Sequence, residues 1–194
     1  MFSLSVAKTD LTFSLFLLWA CFTMQFAPWQ NVADWHCNGC GYCCKLYSVV
    51  LNFNEWLNLT RAFGAETTVV GLNRFYIKRH SDGTCAFLCS RQRNYACALQ
   101  HSKPEACKIW PFKVLGEPKY GETEQAAFDY RGHKLYVYVD TMCSGVRLGT
   151  PSWDFRYVVV KEFVELALGI RAVQYKSTRS VELPLNQWGR QLFP

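Results

Sequence analysis

The stretch "WHCNGCGYCC", residues 35–44, places four thiols within eight positions: Cys37, Cys40, Cys43 and Cys44. Thiolate sulfur binds zinc and iron, and a C-x2-C step lets a short loop turn two sulfurs onto one metal at about 2.3 Å. Disulfides are the competing chemistry. A bridge needs Cα atoms about 4.4–6.8 Å apart with suitable Cβ directions, so four cysteines this close together would have to pair with distant partners, as in a secreted disulfide protein.

The second C-x2 step carries more information. "CNGCGYC" matches the first three ligands of the C-x2-C-x2-C run that wraps three corners of an iron–sulfur cubane. Gly39 and Gly41 permit the backbone angles of such a wrap and leave N–H groups free to point at sulfur. Further cysteines follow at 85, 89, 97, 107 and 143. Cys44 must leave the loop in another direction from Cys43, toward a second metal or a shared edge. Eight or nine thiolates suffice for one site of four plus a second of three or four. Cys21 is left aside and Cys89 is the next weakest candidate, since either Cys85 or Cys89 fits a buried thiol as well as a ligand. Zinc and iron–sulfur both accept four thiolates, and the ferredoxin-like triplet favours a [4Fe–4S] cluster over zinc. His36 and His101 read as nearby donors or surface groups rather than ligands.

The chain has 194 residues, 50% hydrophobic and 19% charged, enough for one well-cored domain. Its net charge is +6. Lys45, Arg91, Arg93, Lys103, Lys108 and Lys113 all lie within a few residues of a cysteine, where cations offset the negative charge of a thiolate-rich site. No block of like charge supports nucleic acid as a partner. Residues 11–30 carry no charge, and fit a signal, a membrane anchor or a helix packed on the domain. Two units follow: a hydrophobic N-terminal segment, 1–30, through which membrane association can occur, and a cysteine-cluster metal-binding domain, 31–194. Without anchoring, the location is cytoplasmic.

The elements that must position the thiols are short. "NFNEWLNLTRAFG" predicts a helix capped by Asn52 or Asn54 and stopped by Gly64. "RFYIKRHSDGTCAFLC" predicts strand, turn at Asp82-Gly83 and strand, with Cys85 and Cys89 on one face. One or two helical turns are expected from about Lys103 to Trp110, closed by Pro111. "QAAFDYRGHKLYVYVD" predicts two strands joined at Arg131-Gly132, with Leu135, Val137 and Val139 alternating against Tyr136 and Tyr138. A C-terminal amphipathic helix is expected to present Phe155, Val159, Phe163, Leu166 and Ile170, with Pro184 and Trp188 docked beyond it. The fold class is therefore α+β: a small irregular domain organised around a multi-cysteine metal site, with β-hairpins and that final helix.

Three further segments extend the pattern. With "CNGCGYCC", the segments "DGTCAFL", "CALQHSKPEACKIWPF" and "CSG" resemble, in order, the motifs of the YkgJ-type CxxCxxCC cysteine-cluster family, a zinc- or iron-chelating domain. The resemblance covers roughly residues 35–149. It implies that Cys37, Cys40, Cys43, Cys44, Cys85, Cys97, Cys107 and Cys143 are metal ligands. The chain departs from the family at Gln100, where tyrosine is usual, at Lys103 and Lys108, where arginine is usual, and at Trp110. Lysine keeps the charge but loses the planar fork. A more distant similarity to flagellin lysine N-methylases adds methyl transfer to redox chemistry as an enzymatic reading. A zinc-stapled interaction module is the non-catalytic one. No Rossmann glycine fingerprint, C-x3-C-x2-C triplet, Ser-His-Asp set or paired carboxylates supports a named reaction.

Overall fold

The computed structural model describes residues 25–91, 94–100 and 102–174. Residues 11–24 with Cys21, and also Arg93, His101, Pro184 and Trp188, lie outside the described residues. Among the described residues, no helix is long and apolar enough to cross a membrane.

The longest strand, His133–Asp140, is the spine of a four-stranded antiparallel sheet. It forms the expected hairpin with Ala127–Tyr130. Arg131 and Gly132 stand at φ 50° and 82°, and two left-handed residues in a two-residue loop match the right-handed twist of the flanking strands. Phe26–Pro28 and Phe112–Leu115 also pair with the spine. Residues 26–30, grouped by their apolarity with the N-terminal segment, thus form part of the domain, and Ala27 and Trp29 are buried in it. Val137 and Val139 face the core as alternation requires. Tyr138 on the opposite face is buried as well, because the loop before the spine folds over it: its hydroxyl donates to the Gly121 carbonyl at 2.8 Å and Tyr120 meets its ring edge-on.

The C-terminal helix packs against this sheet. It opens with a π-helical turn, Phe155–Val159, and continues as Val160–Ala167. The wider turn shifts the stripe by one residue, so that both Val159 and Val160 face inward beside Phe163 and Val164. Phe163 stacks on Phe112 at 3.9 Å, and Trp35 meets both rings edge-on; such pairs add about 0.5–1.5 kcal/mol each beyond area burial. Gly169, at φ 69°, ends the helix, and the N–H of Ile170 returns to the Glu165 carbonyl. The expected stripe therefore stops at Leu166, and Ile170 is exposed.

A second core comprises Leu51, Leu59, Ile77, Cys85, Phe87, Ala98 and Leu99. It lies between the helix Phe53–Phe63 and a three-stranded sheet of Val50–Leu51, Phe75–Ile77 and Thr68–Val70. Asn52 caps that helix reciprocally with Glu55, each bond 2.9 Å, and Gly64 stops it.

The stretch 74–89 is not one continuous hairpin. Past the Asp82-Gly83 turn only an Arg79–Cys85 bridge forms. The Leu88 N–H then returns to the Cys85 carbonyl, bending the chain, and Leu88–Arg91 pairs instead with Asn94–Cys97. Cys85 and Cys89 accordingly belong to different elements. The helical turns near Pro111 are Glu105–Ile109, entered from Pro104, and this short helix touches both the C-terminal helix and Val50–Leu51. The class is α+β, with small sheets and a C-terminal helix, as the sequence predicts.

Candidate metal centre

The glycine-flanked loop enters a short helix, Tyr42–Leu46, whose first residues carry Cys43 and Cys44. Gly41 has φ 71°, and a Cβ there would come 2.8 Å from the Tyr95 ring, so conformation and close packing both demand glycine. The Tyr95 N–H donates to the Gly39 carbonyl at 2.8 Å, fixing the loop to the strand Asn94–Cys97. The Cys85 N–H donates to the Cys44 carbonyl at 2.8 Å, drawing Cys85 alongside the helix. Cys97 ends its strand, Cys107 rides on Glu105–Ile109, and Cys143 sits in the turn after the spine.

Six of the eight expected ligands, Cys37, Cys43, Cys44, Cys85, Cys97 and Cys107, line one cavity of about 300 Å³. Cys40 and Cys143 stand outside that wall, with Cys143 buried beneath Trp35. Cys89 is not part of the lining and His36 is exposed. None of the nine described cysteines forms a disulfide.

Of the cations near the cysteines, Lys103 and Lys113 line the cavity. The Lys103 charge favours the thiolates of Cys37, Cys43, Cys97 and Cys107. Lys45 instead lies 3.6 Å over the Tyr95 ring. Cys43 and Cys44 have their sulfurs 3.9 Å apart. The Cys44 thiol is shared with both Cys43 and Cys85; this holds the Cys43 and Cys85 thiols below the usual cysteine value and pushes Cys44 up. Burial raises Cys97 to about 11, Cys107 well above its ordinary value, and Cys37 and Cys143 upward as well.

These residues fit a metal. Unbridged thiols surround a shared space, and the Cys43–Cys44 spacing is close to the roughly 3.8 Å edge of a tetrahedron with 2.3 Å bonds. Gln100, one of the departures from the motif, turns a buried amide oxygen that meets no donor among the described residues, and its side chain lines the same cavity. Among the described residues, no three Cys, His, Asp or Glu side chains are already drawn together tightly enough to grip a single ion. The six cysteines are spread along the cavity wall among apolar neighbours such as Phe87, Leu99 and Trp110.

Three supporting residues carry no sequence signal of their own. Arg79 donates through both terminal nitrogens to the Tyr47 and Lys45 carbonyls, satisfying the end of the cysteine helix. Trp35 donates its indole N–H to Cys143. Tyr47, pushed up to about 12 by burial and by Asp140, joins Gln25 in donating to the buried Asp140 carboxylate. Only the close approach of Cys85 to Cys44 could have pointed to Arg79, which stands six residues before Cys85 in the same turn.

A family model for the CxxCxxCC domain, "Putative zinc- or iron-chelating domain", matches residues 36–144, more than half of the chain. The chain belongs to the CxxCxxCC family. The matched region of this CxxCxxCC protein contains all eight expected ligands and ends before the C-terminal helix. No curated protein and no solved structure matches the chain, so no comparison connects it to the flagellin lysine N-methylases.

Proposed function

We propose that this CxxCxxCC protein holds a polynuclear metal–thiolate centre, an iron–sulfur cluster of [4Fe–4S] type in first place. The observation that carries this reading is that six cysteines share the wall of one cavity of about 300 Å³, some ten times the ~30 Å³ share of one liquid water. A lone ion needs far less room. Cys44, Cys85, Cys97 and Cys107 would hold the centre, with Cys37 and Cys43 beside them on the same wall, and Lys103 and Lys113 would offset its charge. Bound there, such a cluster supplies one-electron transfer. The chain's own part is to bury the centre beside Phe87, Leu99 and Trp110, which limits solvent access.

A zinc-stapled interaction module is the second reading, favoured by the 3.9 Å Cys43–Cys44 spacing. Methyl transfer rests on the flagellin-methylase resemblance alone, and no residue of the cavity is assigned to it. Anaerobic purification followed by metal analysis and an absorption spectrum tests the proposal. A brown protein that bleaches on reduction supports the cluster. A colourless protein with stoichiometric zinc supports the module. A reduced protein that carries no metal and takes none up would overturn both.

A further inference from the structure

The thiols are not distributed evenly between the two hydrophobic cores. Cys143 is part of the core formed by the spine sheet and the C-terminal helix, and Cys37 packs against it. Cys85 is part of the second core, with Cys44 and Cys97 packed against it. The loop carrying Cys37 and Cys40 is fastened to the turn carrying Cys143. Asn38 and Ser144 exchange side-chain hydrogen bonds at 3.0 and 3.3 Å, and the His36 N–H donates to the Gly145 carbonyl. A Cβ at Gly145 would lie 2.0 Å from the His36 carbonyl oxygen, so the two segments touch backbone to backbone. Cys40 and Cys143 are nonetheless absent from the cavity wall, which Cys37 shares with the other five thiols.

Resting on the metal-binding reading above, we infer that the eight thiols form two metal sites rather than one. An outer site would comprise Cys37, Cys40 and Cys143, against the sheet core. An inner site would comprise Cys44, Cys85, Cys97 and Cys107, in the cavity. Cys43 lies between them, within electrostatic reach of Cys37 on one side and of Cys44, Cys85, Cys97 and Cys107 on the other. With their sulfurs 3.9 Å apart, Cys43 and Cys44 stand where the two sites would meet. The outer site has three thiols of its own, and Cys43 can complete its tetrahedron. Its sulfur at Cys143 receives the Trp35 N–H at 3.4 Å, the outer contact that orients a ligating group.

Metal atoms per chain, read by native mass spectrometry and elemental analysis on the anaerobically purified full chain, test the partition. Cys143→Ser and Cys40→Ser should each lose the same fraction of the metal, and the double variant should lose no more. Cys97→Ser and Cys107→Ser should lose the complementary fraction. An outer-site variant that keeps every metal atom, or that is emptied completely while its circular dichroism is unchanged, overturns the partition. Stepwise loading of the reduced wild-type apoprotein with zinc alone gives a readout that needs no variant: a discrete, partly loaded species supports two sites, and all-or-none loading overturns them. A wild-type chain that binds no metal at all is a different result, which overturns the proposed function itself.

Discussion

The indole N–H of Trp35 donates to the sulfur of Cys143 at 3.4 Å. A thiolate that receives a hydrogen bond is better stabilised and better oriented, and losing such an outer contact typically costs about 10- to 100-fold in metal affinity. Trp35→Phe keeps an edge-on aromatic against Phe112 and Phe163 while removing the donor. The variant should lose about 1–2 kcal/mol of stability, from the smaller ring, and hold metal about tenfold more weakly in chelator competition. Unchanged affinity would mean that the contact is packing only.

Lys103 lines the cavity and Lys108, five residues on, does not. Removing a cation near a group of thiolates makes the site more negative. Lys103→Gln should weaken metal retention several-fold, Lys103→Arg should restore it, and Lys108→Gln should leave it unaltered. If the two glutamine variants behave alike in chelator competition, net charge rather than position is responsible.

Burial holds Cys37, Cys97, Cys107 and Cys143 above the ordinary thiol value, so they carry protons near neutral pH. Metal binding requires thiolate and must expel those protons. Zinc added to the reduced apoprotein at pH 7 should release several protons per chain, and affinity should rise with pH. Calorimetry in buffers of different ionisation enthalpy measures the release, and a value near zero would contradict this protonation.

Glu165 is buried, and burial alone would raise its carboxyl. Paired donation from Arg171 at 2.9 and 2.6 Å, together with the Tyr130 hydroxyl at 3.1 Å, outweighs that and holds it below the usual range. A depressed carboxyl contributes stability that is present above the unfolded value, about 4.3, and lost as pH falls through the folded one. Arg171→Gln should cost about 1–2 kcal/mol at neutral pH and flatten the loss of stability below about pH 4, measured by urea unfolding of the apoprotein. An unchanged acid limb would remove Glu165 from the account.

Local signals were legible where the local chemistry is self-sufficient. Asn52 with Glu55, and Arg131 with Gly132, determine their cap and turn from neighbouring residues alone. Asn52→Ala should therefore cost about 1 kcal/mol without loss of metal, and Cys89→Ser should likewise retain metal, both checked by metal content and denaturant midpoint. What sequence reading missed depends on distant partners. The strand after Asp82-Gly83 turns away at the Leu88–Cys85 hydrogen bond and pairs with Asn94–Cys97 instead. Tyr138 is covered by a loop folding over it. Three- and four-residue steps over Phe155–Ile170 do not reveal a π-helical turn that admits one extra inward residue. The spacing of the thiols pointed to a gathering of sulfur, but their division between two cores became visible only in three dimensions.

The short helix Glu105–Ile109 touches both the C-terminal helix and the strand Val50–Leu51. A ligand sulfur mounted on such an element would fasten the proposed centre to both neighbours at once, so stripping the metal should loosen the C-terminal helix and Val50–Leu51 together, as hydrogen exchange of the two segments would read.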